Sequence, residues 1–271
     1  MKVSIITVCH NRAATMPDAI RSVLMQDYPD IEYIIVDGAS TDGTLDVVKR
    51  ELAYFAEKGE TELIRRHARE ARYISEPDHS MYEALNKGIR MATGDIVGHV
   101  HSDDMINGND VVSKYVKHFE QTGADLVYAD GYFVLPEANN KVMRIWRSGR
   151  FHRWKVRLGW LPLHTTLYMK RSVLTSGDLY REDLRTASDT FFLIHYLYET
   201  KVKVSYMPVM VMMMRMGGLS TDASRRKQVW NEDVSIMQHY KFWPAKVIKL
   251  CKMAWKVPQV IEPKFRKNFK G

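Results

Sequence analysis

Cysteine is nearly absent, with only Cys9 and Cys251 in 271 residues, which excludes a disulfide framework and leaves no zinc-type spacing. No apolar run approaches the ~20 residues needed to cross a bilayer. The first apolar segment, Val3 to Cys9, is too short and too soon broken by His10 and Asn11 to serve as a signal peptide. A cytoplasmic chain is therefore expected, with attachment at the inner face of the membrane as the variant of that reading. Zinc-finger spacing, ribonucleoprotein motifs and a helix-turn-helix pattern are also missing, so no nucleic-acid partner is expected. There is no internal repeat and no low-complexity tract. What is left is a chain of 45% hydrophobic residues, long enough to bury one substantial core.

The charge is uneven. Residues 240–271 carry nine Lys or Arg and one Glu, a net +8, and the rest of the chain is balanced at 31 basic and 31 acidic residues. The division expected is a catalytic domain over 1–239, with a nucleotide-binding half at 1–105 and an acceptor half at 106–239, followed by a basic amphipathic tail. That tail interleaves cations with Trp243, Val247, Ile248, Leu250, Trp255, Val257 and Phe265. Such a pattern suits an anionic membrane surface, while packing of the aromatics onto the domain explains it almost as well.

The informative residues are acids at the ends of apolar runs. Asp103 and Asp104 follow Ile96 to His101, and adjacent carboxylates repel one another unless a hard divalent cation offsets them. In isolation a turn with a helix cap is the better explanation of Ser102-Asp103-Asp104. The same grammar recurs at Tyr33-Ile-Ile-Val-Asp37-Gly-Ala-Ser-Thr-Asp42-Gly-Thr44. In an open parallel sheet, ligands gather at the carboxyl ends of strands, so both acidic groups are expected to face one crevice. The first strand, Val3 to Cys9, leads through His10-Asn11-Arg12 into a helix announced by Thr15 as cap and Pro17 in its first turn. Asp42 reads as a turn residue, with Thr44 capping the next helix, and Ser80 with Glu83 as a capping box.

Three segments in this order, Thr7-Val-Cys-His-Asn11, Val36-Asp37 through Asp42-Gly-Thr44, and Ser75-Glu-Pro-Asp78 through Asn86-Lys-Gly-Ile89 to Ser102-Asp-Asp104, resemble the family 2 inverting glycosyltransferases that use nucleotide sugars. The likeness runs from residue 1 to about 220. It implies an α/β chain of GT-A fold, with a Rossmann-like, mostly parallel central sheet flanked by helices. It also implies a sugar moved from a nucleotide-diphosphate donor, a UDP-sugar by prevalence, to a hydroxyl of a glycan or polyprenyl-linked acceptor in cell-surface polysaccharide synthesis. On the same footing Asp37 and Asp78 lie by the nucleotide with Thr7 and Asn11, Asp103 lies by the ribose, and Asp104 is the ligand of Mn²⁺ or Mg²⁺. Lys87 and Arg90 are candidates for the diphosphate, and His101 for an extra metal ligand, although a strand-packed imidazole is the default for His99 and His101.

The resemblance also places a carboxylate at the head of a later helix, to deprotonate the attacking hydroxyl in an inverting transfer. Asp189, in Thr186-Ala-Ser-Asp189-Thr-Phe-Phe192, is the match, with Glu182 and Asp183 as fallbacks and an N-cap as the ordinary alternative. Trp146, Trp154 and Trp160 suit sugar stacking or core packing alike. Met216-Gly-Gly-Leu-Ser220 is a candidate anion nest, Arg215, Arg225 and Arg226 are candidate phosphate partners, and the run Val209 to Met214 reads as strand core. Two other readings stand beside this one: a sugar-phosphate nucleotidyltransferase, which lacks here its Gly-rich loop after the first strand, and a non-catalytic nucleotide-sugar-binding protein.

Overall fold

The computed structural model describes residues 1–135, 138–177, 179–217 and 226–265. Among them, strands β1 (Val3–Cys9), β2 (Ile31–Asp37), β3 (Arg72–Ser75), β4 (Ile96–His99), β5 (Asp104–Ile106), β6 (Leu126–Leu135), β7 (Ala138–Trp146), β8 (Tyr168–Lys170) and β9 (Val204–Arg215) form one sheet. Its order is β3-β2-β1-β4-β8-β6-β9-β5, with β7 added alongside β6. The helices are α1 (Met16–Leu24), α2 (Thr44–Lys58), α3 (Glu62–Glu70), α4 (Met81–Met91), α5 (Val111–Thr122), α6 (Arg153–Arg157), α7 (Arg171–Thr175), α8 (Ser188–Ile194), α9 (Arg226–His239), α10 (Ala245–Ala254) and α11 (Val257–Phe265).

The α/β architecture expected from the sequence is present, and its parallel part is β3-β2-β1-β4. Beyond β4 the sheet is mixed: β8 runs antiparallel to β4 and β6, β9 lies parallel to β6, and β5 closes the edge antiparallel to β9. Burial explains why β1 and β2 read as unbroken apolar runs rather than alternating ones. Val3, Ile5 and Cys9 pack toward α1, α2 and α3, whereas Ile6 and Val8 pack toward α4 with Tyr82, Leu85 and Ile89. Gly88 is what lets α4 lie this close, because a Cβ there would stand 2.4 Å from Ile6 Cγ2.

Local signals meet the structure unevenly. Ser80 caps α4 by accepting from the Glu83 N–H at 3.1 Å, and Glu83 returns to the N–H of His79, one residue ahead of the box position. Thr15 stands at the start of α1 but makes no capping bond, and Pro17 and Asp18 mark that first turn. At α2 the capping acceptor is Asp42, which takes the Thr44 N–H at 3.0 Å, so Thr44 is the capped residue. Strand β6 runs through Asp130-Gly131 to Leu135, because the Asp130 carboxylate is satisfied inside the sheet by the Ser148 N–H at 2.7 Å and the Tyr206 hydroxyl at 2.8 Å. The run Val209 to Met214 lies in β9, as strand core should.

Segment 245–265 is helical and packs on the domain. Lys249 and Lys252 both reach the buried Asp233 of α9, Trp255 donates to Leu158 O at 3.0 Å, and Arg144 and Arg147 of the β7 side bond Gln259 and Glu262 of α11. No helix among the described residues is long and apolar enough to cross a membrane.

Candidate active site

Parallel pairing puts the carboxyl ends of β3, β2, β1 and β4 side by side, with Asp37 opposite both Cys9 and Ser75 in register. The loops leaving these ends are tied together. Asn11 sits at φ 53°, a left-handed conformation that Asn tolerates, and its Oδ1 accepts from Thr41 N at 2.9 Å while its N–H donates to Ser40 Oγ at 2.8 Å. Ala39 shares that backbone region at φ 56°, a conformation costing a non-glycine residue about 1–3 kcal/mol and characteristic of functional turns.

Asp37 and Asp78 end up in different situations. Asp37 is fully buried, and its oxygens accept from the Ser40 N–H at 3.1 Å, the Ser75 hydroxyl at 2.6 Å, the Ser40 hydroxyl and the Cys9 thiol. Its place is beneath the crevice, shaping the Gly38 to Ser40 turn. The Asp78 side chain is 7% exposed, and one oxygen is held by Lys87 while Oδ2 is buried with no partner. That orphaned oxygen faces Gly38, where a Cβ would stand 3.3 Å from it and 3.4 Å from His10 Nδ1. Burial pushes the Asp78 carboxyl up, and Lys87 opposes the shift. Thr7 lies elsewhere. Its side chain points to the α1 face of β1 and accepts from the buried Tyr33 hydroxyl at 3.1 Å, so it is a core group. Lys87 is committed to Asp78, Glu76 and Glu83, and Arg90 stands 3.8 Å from Glu182, so both cations are already paired.

Beyond β4 the chain turns through His101 and Ser102 and re-enters the sheet as β5, with Asp104 opposite Met214 of β9. Asp104 is 3% exposed and Asp103 half-buried beside it. Burial, with Asp103 adding, pushes the Asp104 carboxyl well above the usual carboxylate range, against the pull of Arg215. Arg215 pairs with Asp18 and donates to the Asp103 carbonyl at 3.4 Å, so it braces the acidic turn. A buried acid next to a second acid is the charge pattern a divalent cation reverses, and carboxylate oxygens are the donors that Mn²⁺ and Mg²⁺ prefer.

His99 and His101 point the same way, as alternation predicts, with ring centres 5.0 Å apart, and His164 joins them so that one nitrogen of each ring lies within 4.8 Å of the others. Nothing near His164 in sequence announced this, since the 3₁₀ turn His164–Thr166 comes from a distant stretch. Burial keeps all three imidazoles neutral, His164 down to about 3 with His101 adding to the effect. His164 Nε2 meets the Tyr180 hydroxyl at 2.6 Å.

Asp189 lies in the first turn of α8, preceded by a loop that the Glu232 carboxylate holds through the N–H groups of Thr186 and Ala187, each at 2.9 Å. Asn86 of α4 positions the neighbouring loop by clamping Tyr180 N at 3.0 Å and Tyr180 O at 2.8 Å. The Asp189 Oδ1 accepts from the Thr190 N–H at 2.6 Å, and burial raises its carboxyl above the ordinary range while Lys252 opposes that and Asp233 adds to it. The charges of Asp103 and Asp189 both favour a protonated His101, and the acidic turn is joined to α8 through rings, His101 to His164 at 6.3 Å and His164 to Phe192 at 6.4 Å between centres. Of the fallback acids, Asp183 is paired with Arg181, and Glu182 accepts from Asn86.

The tryptophans divide. Trp160 is core, donating to Ser148 O at 3.0 Å; Trp154 is 57% exposed; Trp146 is half-buried among cations. Arg226 is exposed at the start of α9. Gly218 to Thr221 and Arg225 lie outside the described residues. A hollow of about 750 Å³ lined by Asp125, Ser176, His195 and Lys201 lies where β6 and β9 begin, at the other end of the strands, and holds none of these acids.

The family model for glycosyl transferase family 2 matches residues 4–174. A PGL/p-HBAD biosynthesis glycosyltransferase of Mycobacterium bovis is 27% identical over 219 residues, 80% of this chain and 78% of that one. An uncharacterized glycosyltransferase of Mycobacterium tuberculosis is 36% identical over 124 residues, 45% of this chain and 41% of that protein. Among solved structures, S. aureus TarS 1-349 in complex with UDP-GlcNAc superposes with a TM-score of 0.64 at 15% identity, covering 96% of this chain and 93% of that one. Against a longer TarS chain the coverage falls to 39% of that chain. The mannosyltransferase PcManGT from Pyrobaculum calidifontis, in complex with GDP-Man and Mn2+, superposes with a TM-score of 0.62 at 19% identity, covering 97% of this chain and 73% of that one. At these identities the structural likeness speaks to the fold alone.

Proposed function

Because the chain belongs to glycosyl transferase family 2 and is a glycosyltransferase, we propose that it moves a sugar, with inversion, from a nucleotide-diphosphate donor to a hydroxyl of a glycan or polyprenyl-linked acceptor in cell-surface polysaccharide synthesis. The observation that carries this is that the turn bearing Asp103 and Asp104 and the helix headed by Asp189 are joined through the rings of His101, His164 and Phe192, in a site where Asp78 keeps an unpartnered oxygen. In this reading the base of the nucleotide sits by Asp78, over the turn that Asp37 and Asn11 hold, and the ribose lies toward Asp103. Asp104 is the residue that would hold Mn²⁺ or Mg²⁺, whose charge would stabilise the departing diphosphate. Asp189 takes the proton from the acceptor hydroxyl. Thr7 is left out of this assignment, since its hydroxyl is spent in the core. A uridine nucleotide is the first donor to try.

Binding by a nucleoside diphosphate raises the melting temperature in proportion to the logarithm of its saturation, about 2.7 kcal/mol of stabilisation at a hundredfold excess over Kd. UDP, GDP and dTDP, each with Mn²⁺, should therefore separate by thermal shift, with one raising Tm by several degrees and losing most of the effect when EDTA is added. No shift with any of the three would refute the donor assignment. Release of nucleoside diphosphate rather than pyrophosphate on turnover separates transfer from nucleotidyltransfer.

The same reading places the enzyme on an anionic membrane. Trp243 just ahead of α10, and Val247, Leu250, Met253, Val257, Val260 and Ile261 along α10 and α11, are exposed and spaced mostly three and four residues apart, while Lys249 and Lys252 turn inward to Asp233. An apolar stripe of this kind suits shallow insertion. Co-sedimentation with phosphatidylglycerol vesicles is expected, and the Trp243→Glu, Leu250→Glu double variant should weaken it by about tenfold. Wild-type protein that stays in the supernatant would remove this attachment.

A further inference from the structure

We propose that the acceptor carries an oxyanion, a phosphate or a carboxylate, held beside Asp189 by Lys256 and Arg144; the inference rests on the transferase reading above and names the chemical class of its acceptor. The two cations flank one ring. Arg144 Cζ lies 4.6 Å and Lys256 Nζ 5.7 Å from the centre of Trp146, and Arg144 is also 4.8 Å from the centre of Phe133. Other cations of this region have their acids: Lys249 and Lys252 share Asp233, and Arg147 pairs with Glu262. Among the described residues Lys256 and Arg144 have no carboxylate within 4.0 Å, and Arg144 donates to the neutral amide of Gln259 at 2.8 Å. Burial lowers Arg144 to about 10 and, with Lys252 and Arg144 adding, Lys256 to about 8, so both still carry charge at neutral pH.

Uncompensated cations taken out of water are costly unless an anion joins them. A guanidinium fork and an ammonium point charge together match the oxygens of a phosphate, or those of a carboxylate. The place is the acceptor side of the reaction. Lys252, one helical turn before Lys256, donates to Thr190 Oγ1 at 2.7 Å, directly next to Asp189, and the charges of Lys252 and Lys256 both act on the Asp189 carboxyl. An oxyanion at Lys256 and Arg144 thus lies one helical turn from the cation that touches the neighbour of the base, with the half-buried Trp146 supplying apolar surface for whatever carries it. The C-terminal helix pair that presents Lys252 and Lys256 then does more than anchor the protein; it completes the acceptor pocket.

Titration of the full chain with two matched pairs, farnesyl phosphate against farnesol and glucuronate against glucose, tests this. At least one anion is expected to bind about tenfold tighter than its neutral counterpart, and Lys256→Met and Arg144→Met should each remove about fivefold of that preference while Lys256→Arg keeps most of it. Which anion shows the preference tells a lipid phosphate from an acidic sugar. Equal binding within both pairs, a preference unchanged in both Met variants, or a Met variant that weakens nucleoside diphosphate binding instead would overturn the proposal. Lys256→Met removes a half-buried, uncompensated charge, so its Tm should hold, and Lys256→Arg provides the folded control. Stabilisation by nucleoside diphosphate with Mn²⁺ in the same wild-type sample separates the two readings: its loss defeats the transferase assignment, and its presence without anion preference defeats only this one.

Discussion

Asparagine in place of Asp104 is expected to lower turnover by about a thousandfold, the scale of losing a principal electrostatic stabiliser of a leaving group. The side chain is buried at the start of β5, fixed by pairing with Met214 and carrying a carboxyl that burial and Asp103 push well up. A protein that gained only stability from this residue would do better with a neutral amide, because removing one charge from two adjacent acids relieves both repulsion and desolvation. Asp104→Asn should therefore keep or raise Tm while activity collapses. Donor hydrolysis, read as nucleoside diphosphate released with Mn²⁺ present, measures the activity without knowledge of the acceptor. The variant should also lose the Mn²⁺-dependent part of the nucleotide thermal shift. Asp103→Asn, half-buried on the ribose side, should cost only about tenfold, the scale of one or two charge-assisted bonds. Turnover near wild type in Asp104→Asn would end the metal assignment, and a large fall in Tm would recast Asp104 as a structural residue.

The residues behind these expectations were legible to different degrees. Strands β1 and β2 could be read because parallel strands buried on both faces are continuous apolar runs, and their polar ends mark the crevice. The same continuity hides which face each side chain takes. Thr7 looks like a strand-end polar group, yet parity sends it to the α1 side and Tyr33 receives it. Asp37 was placed correctly in the chain, but its partners Ser40 and Ser75 come from two separate loops, and only the folded register shows that they occupy its oxygens. The reverse holds for Asp78, whose value lies in an oxygen left without a partner, a property no motif contains. His164 was invisible for a third reason: a cluster assembled from β4 and a 3₁₀ turn has no sequence spacing to detect. In the C-terminal segment, charge counting located the cations and missed their direction, because Lys249, Lys252 and Lys256 turn inward while apolar residues face out.

Asp189→Asn is expected to abolish transfer to the acceptor, by about a hundredfold to ten-thousandfold, with donor affinity within about twofold of wild type. The split follows from position. Asp189 heads α8, whereas the nucleotide is proposed to lie at the ends of β1, β2 and β3, which come from a different part of the chain. An N-cap role makes a different prediction: Asp189 stands inside the first turn, where its Oδ1 takes its neighbour's N–H, and Asn is a comparable cap, so a purely structural residue would tolerate the change. The pH profile gives a second test. A base works only when ionised, and burial raises this carboxyl above its ordinary range, so activity should fall as pH drops through a pKa higher than the ~3.9 of a free aspartate. Lys252 holds that value down, which fixes the sign for its removal: Lys252→Met should move the acid limb to higher pH. A limb that stays where it is in Lys252→Met, together with full transfer by Asp189→Asn, would hand the role of base to another group, and Glu182, unpartnered by any closer cation than Arg90 at 3.8 Å, would be the next to replace.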